Sequence, residues 1–371
     1  NDPSRPVHYE RAKSGKNTDF KDDMYAPAEG IRKYTKSDAV KPYIICEYMH
    51  ALGNSNGGAK EYWDLFYEDN LAQGGFVWDW MDQGIRMPVP TAFKKNIGKG
   101  PVKDTFFAYG GFFEKPEGVY NDGNFCMNGL IDSEQVPHPA TYAHKYLQRF
   151  VHVIPVDLKA GKVKVKNWFD HSVIEDKVSG HWKIEAHGKT VANGDISGLG
   201  IAPHAEKILS LELPEMAVEP GKEYFLTLEF RAKKDYHPLV NEGHLLAWDQ
   251  FKMPVETPAV LPKVNGSVKV EESARTVTVN GDGFEVMFDK KSGTLSSMKA
   301  NGRELVVAGG LPELSRAQND NERRQRPRVF HTALDTTGVK AVVESIKVKK
   351  LAGAVQITIQ KLLPNVRGGF A

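Results

Sequence analysis

The spacing of hydrophobic residues changes near residue 151. Before it, short apolar runs at 43–46 and 76–78 predict buried strands. The segments 58–67 and 139–150 have apolar residues at helical spacing and predict helices, the second with a proline near its start. Strands that alternate with helices are typical of an α/β barrel or a doubly wound sheet.

After residue 151 the hydrophobic period becomes two. The alternation is clearest at 163–166, 181–185 and 225–230, and turn signals such as Asn193-Gly194 separate the runs. This pattern predicts an antiparallel β-sandwich of half-buried strands.

A proline-rich stretch at 254–262 predicts a linker before a second all-β zone. Strands of that zone are predicted at 267–270, 275–279, 284–288 and 341–348, with hairpin turns at 280–281 and 292–293. The segment 316–328 is dense in Asn, Asp, Glu, Gln and Arg, which indicates a solvated loop. The predicted domains are therefore 1–150, 151–255 and 256–371.

Composition excludes several classes of protein. The 371 residues are 40% hydrophobic and 26% charged, as in ordinary soluble globular proteins. A formal charge of +2 removes the main reason to expect a nucleic-acid or anionic-membrane surface. No apolar stretch approaches the roughly 18 residues of a membrane helix. Two cysteines, Cys46 and Cys126, are too few for a disulfide framework or a zinc cluster.

Glu47 is the first candidate for chemistry, because it follows the apolar run YIIC. A carboxylate at the C-terminal end of a buried parallel strand lies where barrel active sites are built. Desolvation of such a group is costly unless it has partners or a role. The alternative, a hydrogen-bonded core glutamate that holds the next turn, is equally consistent with its position.

Two further clusters could bind ligands. The run WDWMDQ, which begins at Trp78, could form a sugar platform, or else a core layer capped by aspartates. The loop 121–129 offers several oxygen ligands suited to hard cations, although a plain turn is the commoner explanation. Tyr25 is a single tyrosine, which usually serves packing. No nucleotide-binding, serine-hydrolase or zincin motif occurs.

Together these segments resemble glycoside hydrolase family 2, and specifically its large β-galactosidase branch. The matching stretches, in family order, are DPSRPVHYE, KPYIICEYMHALGNSNGG, QGGFVWDWMDQG, AYGG, NFCMNGL and PHPA. The resemblance implies part of a (β/α)8 TIM barrel at 1–150, about strands six to eight. An immunoglobulin-like β-sandwich at 151–255 and the first part of a large galactosidase-type sandwich at 256–371 would follow.

The resemblance also implies roles for individual residues. Glu47 matches the catalytic nucleophile of a retaining double displacement, and Tyr25 the tyrosine that assists release of the sugar. His50, Trp78 and Asn128 match galactose-binding residues. Phe125, through its carbonyl, and Asn128 match part of a sodium site, and Asn121 lies near the magnesium region. Na⁺ and Mg²⁺ are thus the implied ions, with most ligands outside this chain, and a β-galactoside such as lactose is the implied substrate.

The chain departs from the family pattern in several places. It is expected to begin near the sixth barrel strand, placed at 7–9, so the acid/base glutamate that follows an asparagine on the fourth strand is missing. The pairs Asn241-Glu242 and 321–322 fall in sandwich zones and read as chance matches. Phe112 stands where the family usually has an acidic residue, and 316–322 departs from the usual Arg-Ala-Pro motif.

Two hypotheses remain for the function. The first is that the chain is part of a retaining β-galactosidase, inactive by itself because the acid/base is absent. The second is a non-catalytic carbohydrate-binding or structural module derived from such an enzyme. The ends of the chain suggest a fragment, a processed product or an incomplete record. The free thiols and the lack of a visible signal segment point to the cytoplasm, with the periplasm as the alternative, and the family suggests a homo-oligomer.

Overall fold

The computed structural model describes residues 2–12, 16–91, 103–113, 123–255, 258, 266–311 and 340–363. The chain divides into two compact units, residues 1–260 and 261–371. The candidate residues described below all belong to the first unit.

The first unit opens with three parallel strands joined by two helices. The elements in chain order are β1 (Lys21–Met24), α1 (Ala28–Thr35), β2 (Tyr43–Tyr48), α2 (Ala59–Glu68) and β3 (Ala72–Val77). The sheet order is β1-β2-β3, so each strand lies beside its neighbour in sequence. This β-α-β-α-β succession agrees with the strand and helix alternation predicted for 43–78.

One face of this sheet is packed against the helices. Tyr43, Ile45 and Tyr48 of β2 are buried in one apolar cluster with Ile31 of α1 and Leu65 of α2. Burying side chains of this size stabilises the fold by about 1.5–3 kcal/mol each. On the opposite face of the sheet, Phe76 of β3 is 64% exposed.

The first barrel strand was predicted at the wrong place. Residues 7–9 form no strand, and Val7 and Tyr9 are 51% and 71% exposed. They lie instead beside the segment that leads into β1, where the Asp19 amide donates to the Val7 carbonyl at 2.8 Å. The true strand β1 reads KDDM, and its hydrophobic pattern gave no signal because its one buried residue is Asp22.

No closed barrel is formed by the residues that the structure describes. Strands β1 and β3 occupy the two edges of the three-stranded sheet, as expected for three strands of a larger barrel. The described residues up to 150 contain four more elements. They are the antiparallel pair β4 (Ile85–Pro88) and β5 (Thr105–Ala108), a 3-10 helix (Gly110–Phe113) and α3 (Pro139–Leu147).

Two antiparallel sheets form the β-sandwich predicted after residue 151. Their strands are β6 (Val151–Asp157), β7 (Lys162–Asn167), β8 (Val178–Ala186), β9 (Lys189–Ile196), β10 (Glu206–Ser210), β11 (Tyr224–Ala232) and β12 (Leu245–Lys252), with the short helix α4 (Ile174–Lys177). The orders are β10-β7-β6 and β12-β11-β8-β9. Alternate residues point inward, for example Val163 and Val165, and Ile184 with Leu226 and Leu228.

A buried carboxylate joins α3 to the sandwich. Asp249 of β12 is 4% exposed and accepts hydrogen bonds from Arg149 at 2.8 Å, from Tyr146 at 2.9 Å and from the Val153 amide at 2.8 Å. Burial raises the pKa of Asp249, and the Arg149 charge opposes that shift. Because both oxygens of Asp249 accept hydrogen bonds, this carboxylate fixes the end of α3 to strands β6 and β12 of the sandwich.

The second unit contains a five-stranded sheet and a hairpin. The sheet consists of β13 (Lys269–Glu272), β14 (Thr276–Gly281), β15 (Phe284–Asp289), β16 (Thr294–Ala300) and β17 (Arg303–Glu304), and the hairpin of β18 (Val342–Leu351) and β19 (Ala354–Leu362). The turn predicted at 280–281 is wrong, because Gly281 ends β14 and Gly283, with φ +74°, makes the turn. The turn at 292–293 is confirmed.

Some sequence predictions fall outside the described residues. They are the loop at 316–328, the pair at 321–322 and most of the linker at 254–262. Among the helices that the structure does describe, none combines the length and apolar character that crossing a membrane requires.

The parallel sheet is expected to be less stable than the sandwich. Its two edge strands leave backbone groups unpaired, and its buried cluster is smaller. Amide hydrogen exchange of the 371-residue chain should show weaker protection in β1–β3 than in β8 and β11. Equal protection in the two regions would contradict this expectation.

His152 should make the stability of the first unit depend on pH. It accepts the Trp168 indole N–H on Nδ1 at 3.2 Å and donates from Nε2 to the Arg149 carbonyl at 3.1 Å, so the folded state holds it neutral. Burial, and then the Arg149 charge, lower the pKa of His152 from 6.5 to about 4. The unfolded chain therefore takes up this proton first, and stability that is complete above pH 6.5 is lost toward pH 4, by about 3 kcal/mol at most.

A glutamine at this position tests the assignment. His152→Gln keeps an acceptor and a donor but cannot titrate, so its urea-unfolding free energy should change less between pH 7 and pH 4.5 than that of the parent chain. His187→Gln, at an exposed position, is the control and should follow the parent. An unchanged pH dependence in His152→Gln would show that this residue does not contribute.

Candidate active site

The carboxyl ends of β1, β2 and β3 bring together the candidates on those strands. Tyr25 directly follows β1, and its amide donates to the Glu47 carbonyl at 2.8 Å. Trp78 directly follows β3, and its amide donates to the Tyr48 carbonyl at 3.0 Å. Because the strands are parallel, all three ends meet at one edge of the sheet.

Tyr25 and Glu47 are joined through their side chains as well as their backbones. Burial first, and then a hydrogen-bonding interaction with the Glu47 carboxylate and the charge of that carboxylate, raise the pKa of Tyr25. Tyr25 adopts φ +54°, a left-handed conformation that is uncommon for a tyrosine.

His50 is on the loop after β2, and its ring lies beside that of Tyr25. Its ring centroid is 6.4 Å from that of Tyr25 and 5.6 Å from that of Phe125. Two hydrogen bonds hold this loop: Ser55 Oγ donates to the His50 carbonyl at 2.5 Å, and Asn56 Nδ2 donates to the Met49 carbonyl. The structure thus brings His50 and Phe125 together, although 75 residues separate them in the sequence.

The loop that carries Phe125 and Asn128 is attached to the end of β3. The Asp79 amide donates to the Asn128 carbonyl at 2.7 Å, and the Ala51 amide donates to the Trp78 carbonyl at 2.7 Å. These bonds connect the loop after β2, the loop after β3 and the loop 123–131. Trp78 is partly buried between them.

Asn128 has an amide group that none of the described residues satisfies. The residue is 1% exposed, and neither Oδ1 nor Nδ2 has a hydrogen-bond partner among the described residues. Leaving a buried polar group unpaired costs about 1–3 kcal/mol. An amide in this state fits a ligand that the protein alone does not contain, either a hard cation at Oδ1 or a hydroxyl group.

Asp82 supports this loop; the sequence had offered the aspartates of its run only as sugar ligands or as caps of a core layer. It is 6% exposed and accepts the Gly129 amide at 2.7 Å, while His138 Nδ1 donates to the Gly129 carbonyl at 3.0 Å. Burial raises the pKa of Asp82, and the Gly129 amide opposes that shift. Its place in the run WDWMDQ was a signal, but the partner 47 residues away could not be read from it.

Phe112 lies among other aromatic side chains. The Phe112 ring contacts those of Phe106 at 5.2 Å and Tyr109 at 6.1 Å, so it serves packing where the family pattern has an acid. Asn121 lies outside the described residues. Within the part of the chain that is described, no three His, Cys, Asp or Glu side chains cluster as a metal site would require.

Three family models match successive parts of the chain. Residues 1–153 match the TIM barrel domain of glycosyl hydrolases family 2, residues 163–254 match domain 4 of beta-galactosidase, and residues 280–366 match the beta galactosidase small chain. The chain belongs to glycosyl hydrolase family 2. The barrel model thus covers every candidate site residue.

Curated relatives extend this match over most of the chain. "Beta-galactosidase 2" of Enterobacter cloacae is 34% identical over 86% of this chain and 31% of its own length. "Beta-galactosidase" of Priestia megaterium is 31% identical over 98% of this chain and 34% of its own. The chain therefore spans about a third of the length of these relatives.

Similarity to solved structures is weaker. The crystal structure of Amycolatopsis orientalis exo-chitosanase CsxA aligns with 44% of this chain and 20% of its own, at 12% identity and a TM-score of 0.23. A superposition of this quality supports no conclusion about the site.

Gly129 should be essential for the loop that carries Asn128. A Cβ atom at this position would lie 2.1 Å from the Asp82 amide nitrogen and 2.3 Å from the Met81 carbonyl carbon, so backbone must move. Gly129→Ala should lower the urea-unfolding free energy by about 1–3 kcal/mol or more. Tryptophan fluorescence, from Trp78 and its neighbours, can follow the transition.

Gly57→Ala is the matched control, because a Cβ there meets nothing within 4 Å. It should unfold at nearly the same urea concentration as the parent chain. Equal midpoints for the two variants would show that the Gly129 contacts are not as close as described.

Proposed function

We propose that this chain provides the nucleophile side of the active site of a retaining β-galactosidase, with Glu47 as the nucleophile. The observation that carries the proposal is the position of Glu47 at the carboxyl end of β2, where its carbonyl accepts the Tyr25 amide at 2.8 Å and its carboxylate helps to raise the pKa of the Tyr25 phenol. Membership of family 2 and the names of the curated relatives support the choice of a galactoside.

The reaction proceeds by two displacements. A Glu47 carboxylate oxygen attacks the anomeric carbon while the bond to the aglycone oxygen breaks, and an acid delivers a proton to the departing oxygen. Water then attacks the same carbon, the acid's conjugate base takes the water proton, and Glu47 leaves with its electron pair. Tyr25 donates its hydrogen bond to Glu47 when the carboxylate is ionised, and so favours its release from the sugar.

The acid is not assigned to any residue of this chain. Asn241-Glu242, the described pair that matches the family's asparagine-glutamate order, lies between β11 and β12 of the sandwich. It is far along the chain from the carboxyl ends of β1–β3 and belongs to another fold element. The proposed enzyme therefore needs a second carboxyl group from elsewhere in the barrel.

Three residues of the site are suited to hold the sugar. Trp78 offers an aromatic face to the apolar side of a pyranose, His50 offers a ring nitrogen, and the unsatisfied Asn128 amide offers a donor and an acceptor. A terminal β-D-galactose residue, as in lactose, is the proposed substrate.

A sodium ion is compatible with the same loop. The unpaired Asn128 Oδ1 and the Phe125 carbonyl would hold it, and the ion would orient a sugar hydroxyl. For Mg²⁺ the described residues offer no comparable feature, and it stays a prediction of the resemblance. The homo-oligomer and the cytoplasmic location likewise stay predictions.

Turnover of an aryl β-galactoside tests the proposal. The 371-residue chain alone should be inactive, whereas a longer chain that also contains the remaining barrel strands should hydrolyse the substrate. Glu47→Gln in the active form should lower kcat by roughly 10⁴-fold, because the substitution removes the nucleophile without changing the shape of the side chain.

The outcomes separate the hypotheses. Turnover that survives Glu47→Gln would contradict the assignment of the nucleophile. Galactoside binding without turnover in the extended chain would favour the non-catalytic carbohydrate-binding module.

A further inference from the structure

The side on which Glu47 lies is not the one that regular alternation predicts. In β2 the side chains of Tyr43 and Ile45 are buried against α1 and α2, so a regular strand would direct residue 47 to the same helix-packed side. The structure instead buries Tyr48 there, at 1% exposed, with its ring 5.2 Å from that of Tyr62. Glu47 is therefore free to meet Tyr25.

One extra residue in β2 causes this change of side. Against β1, Asp23 pairs with Ile45 but the next residue, Met24, pairs with Glu47. Against β3 the register also shifts by one residue between Ile45 and Tyr48. Cys46 is thus the extra residue of a β-bulge, and such bulges redirect the side chains that follow them.

Asp22 satisfies the backbone group that the bulge leaves unpaired. The Cys46 amide donates to Asp22 Oδ1 at 3.0 Å, in place of a bond along the sheet. Asp22 is 1% exposed, and its other oxygen, Oδ2, lies 2.9 Å from His8 Nε2. The carboxylate thus has a partner on each oxygen, which is what a buried carboxylate needs.

The Asp22 carboxylate also affects the Cys46 thiol. Burial first, and then the charge of Asp22 and a hydrogen bond to it, raise the pKa of Cys46 to about 11. Asp22 therefore accepts the amide of the bulged residue and also affects the pKa of its thiol.

We propose that Asp22 is the positioning residue for Glu47: it holds the bulge at Cys46 that turns Glu47 from the helix-packed side of β2 to the side of Tyr25. Without this acceptor, the favoured arrangement is a regular strand, in which Glu47 and Tyr48 exchange sides. The role in catalysis rests on the proposed function, whereas the effect on the side of Glu47 does not.

Chemical labelling of the 371-residue chain tests the side directly and needs no galactoside. Carbodiimide coupling of an amine reports the accessibility of the Glu47 carboxylate, and tetranitromethane reports that of Tyr48, both mapped by mass spectrometry. In Asp22→Ala, Glu47 labelling should fall by about threefold or more while Tyr48 nitration rises, because a one-residue slip exchanges their environments.

Two variants separate positioning from stability. Asp22→Asn keeps the Oδ1 acceptor for the Cys46 amide and should restore the labelling pattern of the parent chain. Asp249→Ala removes a buried carboxylate from the sandwich, away from β1 and β2, and should leave the Glu47 to Tyr48 labelling ratio unchanged.

The exchange rate of the Cys46 amide in the unsubstituted chain gives an independent readout, should Asp22→Ala not fold. The proposal predicts slow exchange of this amide, comparable to that of the Ile45 amide. Fast exchange would overturn it. An unchanged labelling pattern in Asp22→Ala, or a rise at both Glu47 and Tyr48 through local unfolding, would overturn it as well. A failed galactosidase assay would not affect any of these results.

Discussion

The packing of β2 against its two helices is the constraint on which the site depends. Tyr43, Ile45 and Tyr48 occupy the helix-packed side, and their burial decides which side chains remain for the other side. In a regular β2 strand the Glu47 carboxylate would face the helices in place of the Tyr48 ring, and burial of that group among apolar side chains is costly. Because of the bulge at Cys46, Tyr48 packs in the apolar cluster while Glu47 lies on the other side of the strand. The close approach of Gly75, where a Cβ would lie 2.9 Å from Ile45 Cβ, shows how tightly the neighbouring strand fits at this point.

Hydrophobic periodicity predicted the elements that bury apolar side chains. Strand β2, helix α2, helix α3 and the sandwich strands were found because each alternates or repeats with the period of its structure. Strand β1 was missed because KDDM contains no apolar run, and the prediction moved to 7–9, where Val7 and Tyr9 are exposed. A strand whose buried residue is a carboxylate cannot be recognised from hydrophobicity. Asp22 is buried with hydrogen-bond partners from elsewhere in the chain, the Cys46 amide and His8.

The candidate site likewise contains some residues that the motifs predicted and others that they did not. Glu47, Tyr25, His50, Trp78, Phe125 and Asn128 were all expected from motifs, and the structure brings them to adjacent loops and strand ends. The supporting residues were not expected: Asp82 and Asp22 act on backbone amides 47 and 24 residues away. A hydrogen bond between a side chain and a distant amide leaves no periodic trace in the sequence. The unsatisfied amide of Asn128 is a property of the folded loop alone.

Covalent trapping of the nucleophile tests the central claim most directly. The enzyme that contains this chain together with the remaining barrel strands would be incubated with 2,4-dinitrophenyl 2-deoxy-2-fluoro-β-D-galactoside, whose leaving group departs without an acid, and then digested for mass spectrometry. The account predicts a fluorogalactosyl ester on Glu47, formed as dinitrophenolate leaves. An ester on a different carboxylate would contradict it, as would stoichiometric release of dinitrophenolate with no sugar on Glu47.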